Sequence, residues 1–435
     1  MGGLALLLIA AFHHLAKKET RSFGLKSILF FSLIFRAICL PSDLIFEDDI
    51  TRYLWDGYMV SHGLNPFIFS PEEVEEYEPA ATGWLADVGD KSITPYKQLY
   101  IKSQDMGFPF EKINYPHIPT IYPPLTQAVF ALSSILAPLN QIWLKCILIL
   151  FDLGSIIVII LLLHHLDIPK NYIILYGWHP LIIKEFANSG HHDSIGIFFF
   201  SLMLLALFRE NFIWSAFWFG LTVLVKLLPV VMIPILFKKF RWKGLAVFSM
   251  VLIAGYLPLI TARGENFQGL MIYLQFWTFN SLPFTFIQRI GEEITGNLDF
   301  ARSLARIISN GLIVLVLGYY GIRTLMKPRV SIDLLVLHLT NLFLLVFLFL
   351  PVCDPWYICW LIPLGLLAGR TPVMVLSITV FLSYLYYDLG NFPSILLLLE
   401  FGLVYLVWFR YDFKLLKIRP NSPKPSQFSQ IPPSS

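Results

Sequence analysis

Residues 141–165 read QIWLKCILILFDLGSIIVIILLLHH, and this stretch decides the class of fold. Lys145 and Asp152 are the charged residues of a run that is otherwise mostly apolar until it ends in two histidines. The hydrocarbon core of a bilayer is about 30 Å thick, so a helix needs about 20 mostly apolar residues to cross it. The run is long enough, and it predicts a membrane-spanning helix.

Similar apolar runs predict further spans at residues 25–41, 171–187, 193–208, 244–262, 303–326, 331–351, 356–369, 372–388 and 393–412. The stretch 211–238 is too long for one span and contains Lys226, Pro229 and Pro234, so it predicts two helical pieces that meet at a bend. Residues 1–14 lack a basic region and a cleavage site, which favours a first membrane helix over a signal peptide. The expected fold is an all-α polytopic membrane protein of about eleven to thirteen spans.

The composition of the whole chain also indicates lipid as the main solvent. Of its 435 residues, 56% are hydrophobic and 14% are charged, whereas a soluble domain has about 25% charged residues. The net charge of +3 is too small to indicate a nucleic-acid partner. The four cysteines show no metal-binding spacing and are interpreted as small hydrophobic residues.

The positions of lysine and arginine predict which loops lie in the cytoplasm, because cytoplasmic loops retain these residues. Four basic clusters occur: Lys17, Lys18, Arg21 and Lys26; Lys238, Lys239, Arg241 and Lys243; Arg323, Lys327 and Arg329; Arg410, Lys414, Lys417 and Arg419. All four clusters lie on the cytoplasmic side if the segment 121–137 rests at the outer membrane interface and does not cross the bilayer. The opposite side then carries four regions: the first outer segment (42–120), the histidine turn (Gly190–Asp193), the second outer segment (263–302) and the aspartate turn (Pro351–Tyr357).

The predicted organisation is one transmembrane domain, residues 1–417, followed by a disordered cytoplasmic tail. Residues 418–435 are rich in proline and serine and have no apolar period. The first outer segment is the large polar insertion in the domain and shows no helical pattern, so it is expected to be a long functional loop.

Glu47, Asp48 and Asp49 follow a predicted span directly. Three adjacent carboxylates repel one another, so at least one pKa is expected to rise or a cation to lie nearby. A carboxylate held at the membrane surface is a candidate general base for a hydroxyl. The alternative is a solvated acidic loop start. The acidic run 72–78 is interpreted as a solvated face.

The histidine turn follows Glu185 and Asn188. Two adjacent histidines beside an aspartate make a weak zinc motif, but they suit a hydrogen-bonding cluster for a sugar or phosphate. Lys226 lies within an apolar stretch, where a charge is costly and either serves function or is paired structurally. Lys145 is expected to extend its ammonium to the interface.

Other polar residues have two interpretations. Asp152, His338 and Asn341 fall near the predicted bilayer middle. They could form an internal polar contact between helices or be part of a transport path. The aromatic residues at 276–279 and in the aspartate turn are typical of an interfacial belt.

Four motifs in order carry a resemblance. They are Glu47-Asp48-Asp49-Ile50-Thr51-Arg52-Tyr53-Leu54-Trp55-Asp56-Gly57 with Gly63-Leu64-Asn65-Pro66-Phe67; Asn114-Tyr115-Pro116-His117-Ile118-Pro119-Thr120-Ile121-Tyr122-Pro123-Pro124-Leu125; Trp178-His179-Pro180-Leu181-Ile182-Ile183-Lys184-Glu185 with the histidine turn; and Lys226-Leu227-Leu228-Pro229. Together they resemble the bacterial polyprenol-phosphate-sugar-dependent glycosyltransferases of the GT-C superfamily, and among these the family 87 mannosyltransferases and their uncharacterised relatives. The similarity spans about residues 25–365. His179 departs from the pattern, since relatives often carry asparagine before the proline.

The resemblance implies an enzyme in the bacterial inner membrane that moves a hexose, with mannose as the first expectation. The sugar would pass from a polyprenyl-phosphate carrier to a lipid or glycan acceptor on the periplasmic side, with inversion. The family's catalytic acid lies four positions before a tyrosine, a spacing that Asp49 and Tyr53 match. Asp49 is therefore the expected general base, and Asp48 is the second candidate for this role.

The predicted substrate-binding residues are Tyr53, Tyr122, Glu185, His191, His192, Asp193, Lys226, Trp356 and Tyr357. The residues 277–280 would border a groove for the lipid tail. No metal ligands are assigned, and the participation of a divalent metal stays open.

Two other functions compete with this one. A transporter or flippase for a polar or lipid-linked solute would use Asp152, His338 and the bend at Lys226, since transporters place polar residues at mid-membrane in broken helices. A non-catalytic assembly subunit would not need the acidic start of the first outer segment.

Overall fold

The computed structural model describes residues 23–78, 92–260, 267–326, 330–389 and 393–412. The predicted first helix at 1–14, the cationic residues Lys17, Lys18, Arg21, Lys327, Arg329, Lys414, Lys417 and Arg419, and the predicted tail 418–435 lie outside the described residues. Within the described ranges the chain forms helices and no β-strand. The predicted all-α polytopic class is confirmed.

The longer helices run over Leu25–Cys39, Asp49–Ser61, Thr94–Asp105, Pro124–Leu136, Gln141–His165, Asp193–Phe208, Phe212–Val223, Ile233–Tyr256, Gln268–Phe276, Leu282–Thr295, Leu298–Met326, Ile332–Phe349, Leu361–Ala368, Thr371–Thr379 and Ser394–Val407. Shorter pieces lie at Pro71–Glu76, Ile174–Gly177, Pro180–Ile182, Pro355–Ile358 and Leu385–Leu389. In the described part of the chain, the segments long and apolar enough to cross a membrane are Gln141–His165, Leu228–Leu259, Leu298–Met326 and Ile332–Phe349. Several shorter apolar helices accompany them.

The stretch 141–165 is helical over the predicted residues. Asn140 caps its start, because the side-chain oxygen accepts hydrogen bonds from the backbone N–H groups of Ile142 (3.0 Å) and Trp143 (3.2 Å). The predicted span 193–208 is likewise one helix, Asp193–Phe208.

The predicted span 171–187 is not one regular helix. It is divided at Trp178 and His179 and continues as a π-helix over Ile183–Asn188. Pro180 has no backbone N–H and clashes with the carbonyl of the preceding turn, so an α-helix cannot pass through this position undisturbed. The π-helical turn carries Lys184 and Glu185, and such turns are frequent at functional sites.

The stretch 211–238 confirms the predicted bend. The helix Phe212–Val223 ends before Lys226, and a 3-10 turn at Leu228–Met232 leads into the next helix. That helix, Ile233–Tyr256, is interrupted at Arg241, whose φ of 53° is not helical. The interruption lies in the basic cluster that the sequence placed between two spans.

The described part of the first outer segment contains helices, although its sequence was interpreted as having no helical pattern. It contains Asp49–Ser61 and Thr94–Asp105, and the next segment forms Pro124–Leu136. All ten residues from 50 to 59 are buried, so the polar residues of this helix, with Arg52 paired to Asp56 one turn away, are covered by protein instead of water. It packs closely on Pro124–Leu136, because a Cβ atom on Gly57 would lie 2.4 Å from the Phe130 carbonyl oxygen.

The helix Pro124–Leu136 has 13 residues, about 20 Å in length at 1.5 Å per residue. It is shorter than a bilayer core, in keeping with the prediction that 121–137 does not cross. The second outer segment is also not a loop: it forms Gln268–Phe276 and Leu282–Thr295.

The polar residues predicted near the bilayer middle are internal contacts. Asp152 accepts a hydrogen bond from Arg36, with Nε at 2.5 Å from Oδ2, and both side chains are fully buried. Asn341 accepts a hydrogen bond from Arg370 at 2.7 Å. Lys145 differs from the prediction, since it is buried by protein and its ammonium donates to the Ser42 carbonyl at 3.3 Å instead of ending in water.

Candidate active site

The two outer segments, the histidine turn and the aspartate turn contact one another, as expected if they lie on one side of the membrane. The Tyr115 ring packs on Trp277 with centroids 4.3 Å apart. His191 stacks on Trp356 at 4.1 Å. The second outer segment also pairs its backbone with the aspartate turn, where the N–H of Phe279 donates to a carbonyl at 3.0 Å. The four regions therefore form a single cluster.

Asp49 is the first residue of its helix, where the partial positive charge of the helix N-terminus favours a carboxylate. The Asn114 amide donates to Asp48 and also to Asp49 Oδ1, at 3.2 Å from the latter. The Tyr53 hydroxyl lies 3.5 Å from Asp49 Oδ2. Burial raises the pKa of Asp48 above its ordinary value. The Asp49 side chain stays 24% exposed, so it is open to an incoming group.

His191 lies between two carboxylates. Its Nδ1 is 2.7 Å from Glu185 Oε2, and its Nε2 is 3.8 Å from Asp49 Oδ2. Burial alone would lower the pKa of His191, but Asp49 and Glu185 outweigh it and raise the pKa to about 10. The ring is therefore an imidazolium at neutral pH. Burial would raise the pKa of Asp49, but this imidazolium and the Asn114 amide lower it, so Asp49 is ionised.

His192 has the opposite state although it is the next residue. Burial lowers its pKa to about 3, so the ring is neutral. It lies edge-on to the rings of Tyr53 (5.3 Å), Tyr122 (5.0 Å) and Phe130 (6.1 Å). These contacts fix the position of the ring beside Asp49's helix.

Gly190 allows the histidine turn to approach this helix. Its φ of +72° is a left-handed conformation that side chains rarely adopt, and a Cβ atom would meet Ile50 Cδ1 at 2.8 Å. Glycine satisfies both constraints.

Lys226 is paired and also faces an aromatic ring. Its ammonium lies 2.7 Å from Asp193 Oδ1 and 3.8 Å from the centroid of the Tyr357 ring. The Trp360 indole N–H donates to the same Asp193 oxygen at 2.5 Å. The side chain of Lys226 is 14% exposed. The two interpretations of Lys226 therefore do not exclude each other, because a paired ammonium remains in reach of a ligand.

Glu47 is held by a cation from the π-helical turn. Lys184 donates to Glu47 Oε2, and the Ser189 hydroxyl donates to the same oxygen at 3.2 Å. Glu185 accepts a hydrogen bond from the Tyr384 hydroxyl. Burial and the nearby Glu185 raise the pKa of Glu47 to about 7. Both consequences predicted for three adjacent carboxylates, a raised pKa and a nearby cation, are confirmed.

Asp354 is a site residue that the sequence analysis missed, because the aspartate turn was interpreted as an aromatic belt. Burial raises its pKa to about 8, and the charges of Lys226 and Asp49 also act on it. A carboxylate directly before a proline at the start of a span was the available signal. Lys184 and Asn114 were quoted within motifs, but nothing in their local sequence indicated their partners.

The structure brings together the residues predicted for the site: Asp48, Asp49, Tyr53, Tyr122, Glu185, His191, His192, Asp193, Lys226, Trp356 and Tyr357. One further set of donors, from Glu47, Glu185 and His191, is close enough together to hold a metal ion.

His179, the departure from the motif, has a structural role. Its Nδ1 accepts a hydrogen bond from the backbone N–H of Leu181 at 3.2 Å, and its Nε2 contacts the Ser377 hydroxyl at 2.9 Å. It thus caps the turn that starts at Pro180. Asparagine is among the preferred capping residues, so the two side chains can do the same work here.

Comparison with known proteins gives one match. The model of glycosyltransferase family 87 matches residues 120–351, more than half of the chain. The matched range includes the histidine turn and Lys226 and begins after Asp49. The searches of curated proteins and of solved structures gave no match. The chain belongs to glycosyltransferase family 87 and is a membrane glycosyltransferase.

Proposed function

We propose that this enzyme transfers a hexose from a polyprenyl-phosphate carrier to a hydroxyl group of a lipid or glycan acceptor, on the periplasmic side of a bacterial inner membrane. Mannose is the first donor sugar to test. The reaction is a single displacement that inverts the anomeric carbon, and Asp49 is the general base.

The observation that carries the proposal is the environment of Asp49. It is an ionised, partly exposed carboxylate, oriented by Asn114 and placed 3.8 Å from the His191 ring. The histidine turn connects it directly to Asp193 and hence to the ammonium of Lys226. A base and a cation therefore belong to the same cluster of side chains, and both charges act on the carboxyl group of Asp354. A transfer between a hydroxyl and a phosphate ester requires such a pair.

Each group has a defined role in the displacement. The acceptor oxygen attacks the anomeric carbon while its proton passes to Asp49. The bond from that carbon to the phosphate oxygen breaks, and the polyprenyl phosphate leaves with the electron pair. Lys226 stabilises the charge that develops on the phosphate, a contribution that is larger where water is excluded. Asp48 orients the acceptor together with Asn114.

The lipid-linked form of the donor is supported by the apolar surface next to the site. Met271, Leu274 and Phe276 are exposed on the helix Gln268–Phe276, which ends at Trp277. Large apolar side chains exposed in this way suit contact with acyl or prenyl chains. The second outer segment can therefore guide a lipid tail while the phosphate lies at Lys226.

The test is an assay of the purified protein with a panel of polyprenyl-phosphate hexoses and candidate acceptors. Release of polyprenyl phosphate is measured by mass spectrometry, and the anomeric configuration of the product by NMR. The proposal predicts release with at least one hexose donor and inversion in the product. Activity with nucleotide sugars alone, or a retained configuration, would contradict it.

Asp152, the residue on which the transporter interpretation mainly depends, is not available to a solute. Asp152 is fully buried and engaged by Arg36 and by the Tyr176 hydroxyl at 3.0 Å, which leaves neither carboxylate oxygen for a solute.

A further inference from the structure

Carboxyl groups outnumber cationic groups in the site. It contains six carboxyl groups, on Glu47, Asp48, Asp49, Glu185, Asp193 and Asp354, and three cationic groups, on Lys184, His191 and Lys226. The raised pKa values of Glu47, about 7, and Asp354, about 8, remove part of the negative charge. A donor phosphate would add further negative charge. Carboxylates and phosphate repel each other at short range unless another cation lies between them.

Three buried residues form a place for such a cation. One donor atom each from Glu47, Glu185 and His191 lies within 4.8 Å of the other two. Glu47 Oε1 is buried and makes no hydrogen bond to any residue that the structure describes, and it lies beside the ion pair that Glu185 Oε2 and His191 Nδ1 form at 2.7 Å. Buried polar atoms normally have a partner, so an unsatisfied carboxylate oxygen next to two further donor atoms indicates a ligand.

The other oxygen of each carboxylate is already engaged. Glu47 Oε2 accepts from Lys184, and Glu185 Oε1 accepts from the Tyr384 hydroxyl. Ligating carboxylates in metal sites are usually oriented by outer hydrogen bonds of this kind. The arrangement therefore directs Glu47 Oε1 and Glu185 Oε2 toward the same point.

The ring of His191 is oriented in the same manner. It stacks on Trp356 at 4.1 Å, which fixes the plane of the ring, and its Nε2 faces Asp49 at 3.8 Å. A histidine that binds a metal through one nitrogen commonly donates its other N–H to a carboxylate. The Nδ1 atom, on the Glu185 side, would then be the metal ligand, and the ion would displace the proton that this nitrogen shares with Glu185 while the N–H of Nε2 stays directed at Asp49.

We propose that Glu47, Glu185 and His191 bind a divalent transition-metal ion, of which Mn²⁺ is the probe. Two carboxylates and one imidazole suit such an ion, and three protein ligands leave coordination positions open. A role for the ion in neutralising the donor phosphate rests on the proposed function, whereas the binding itself does not.

The experiment measures metal binding directly. Purified full-length protein in lipid nanodiscs is treated with a chelator and titrated with Mn²⁺, and the free ion is followed by electron paramagnetic resonance. The wild-type chain is expected to bind one ion per chain with saturation. Glu185→Gln and Glu47→Gln are expected to weaken binding more than about tenfold, and the exposed Glu76→Gln is the matched control that leaves it unchanged.

Tyr384→Phe is the second variant, because it leaves every donor atom in place and removes only the hydrogen bond that orients Glu185. It is expected to weaken binding about tenfold even if Glu185→Gln fails to fold. The proposal would be overturned if the wild-type chain showed no saturable Mn²⁺ binding. It would also be overturned if Tyr384→Phe, Glu185→Gln and Glu47→Gln all bound Mn²⁺ as tightly as the wild-type chain does. Undiminished sugar transfer after chelation, without Mn²⁺ binding, would overturn the metal site and leave the transferase intact. Mn²⁺ binding without sugar transfer from any donor would overturn the proposed transferase function and leave the metal site intact.

Discussion

Two charged clusters in this chain differ in how completely they are satisfied. In the interior, both oxygens of Asp152 are engaged, one by Arg36 at 2.5 Å and one by Tyr176 at 3.0 Å. Arg36 also donates to the carbonyls of Ser32 and Gly177 at 2.9 and 2.8 Å. The outer cluster around Asp49 instead keeps partly exposed charges, with the Asp49 side chain 24% exposed and the Lys226 side chain 14% exposed.

The contrast shows how a charged cluster that stabilises the fold can be distinguished from one that serves a reaction. An interior charge must be paired because an uncompensated ion in a low-dielectric environment costs several kcal/mol. Groups that will meet a substrate cannot all be paired beforehand. Partial exposure, as at Lys226 and Asp49, and an excess of one charge are therefore signs of a binding site.

A large difference between the clusters is expected from Lys226→Gln. Removal of a positioned charge at a reaction centre lowers turnover by about 10²–10³. Lys226→Arg keeps the charge and is expected to retain a measurable part of the activity. Polyprenyl phosphate release per folded molecule is the measurement. Equal release rates for Lys226→Gln and wild type would show that Lys226 has no role in the reaction.

Asp152→Asn is expected to have the opposite effect, on stability and not on turnover. It leaves Arg36 buried without its counter-ion, which costs about 3–5 kcal/mol. Thermal unfolding and the folded yield are measured, together with turnover per folded molecule, which should be unchanged. The double variant Arg36→Met with Asp152→Leu removes both charges and should recover most of the stability. A loss of turnover in a well-folded Asp152→Asn protein would instead favour a transport function.

The fold was predictable where one local property determines it. The stretch 141–165 is mostly apolar, and its helix follows from the need to satisfy backbone groups within lipid. The helix Asp49–Ser61 was missed although Arg52 and Asp56 stand at helical spacing in its sequence. The burial of these polar residues depends on packing against Pro124–Leu136 and cannot be seen in the helix's own residues. The break before Pro180 had a visible cause, whereas the π-helical turn after it did not.

The site was predictable to a similar degree. Carboxylates and a lysine next to apolar runs are unusual enough to indicate Asp49, the histidine turn and Lys226. The partners of these groups come from distant parts of the chain: Lys184 is 137 positions from Glu47, and Tyr384 is 199 positions from Glu185. Such contacts arise from packing, and composition or spacing gives no sign of them.

A further expected effect concerns Asp354, whose pKa of about 8 lies above the ordinary 3.8. The folded chain binds this proton more tightly than the unfolded chain. The corresponding stability is fully present below pH 3.8 and is lost as the pH rises through about 8. Asp354→Asn is expected to flatten this decline, measured as the apparent Tm against pH. An identical slope in wild type and variant would show that Asp354 is not perturbed in this way.

The most direct test of Asp49 as the general base compares polyprenyl phosphate release by Asp49→Asn and Asp48→Asn, with the exposed Asp105→Asn as control. Asp49→Asn is expected to insert and fold normally and to lose about 10²–10⁴ in turnover, the usual contribution of a general base. Asp48→Asn should lose less, and Asp105→Asn should equal wild type. Full turnover by a folded Asp49→Asn protein would contradict the proposed mechanism.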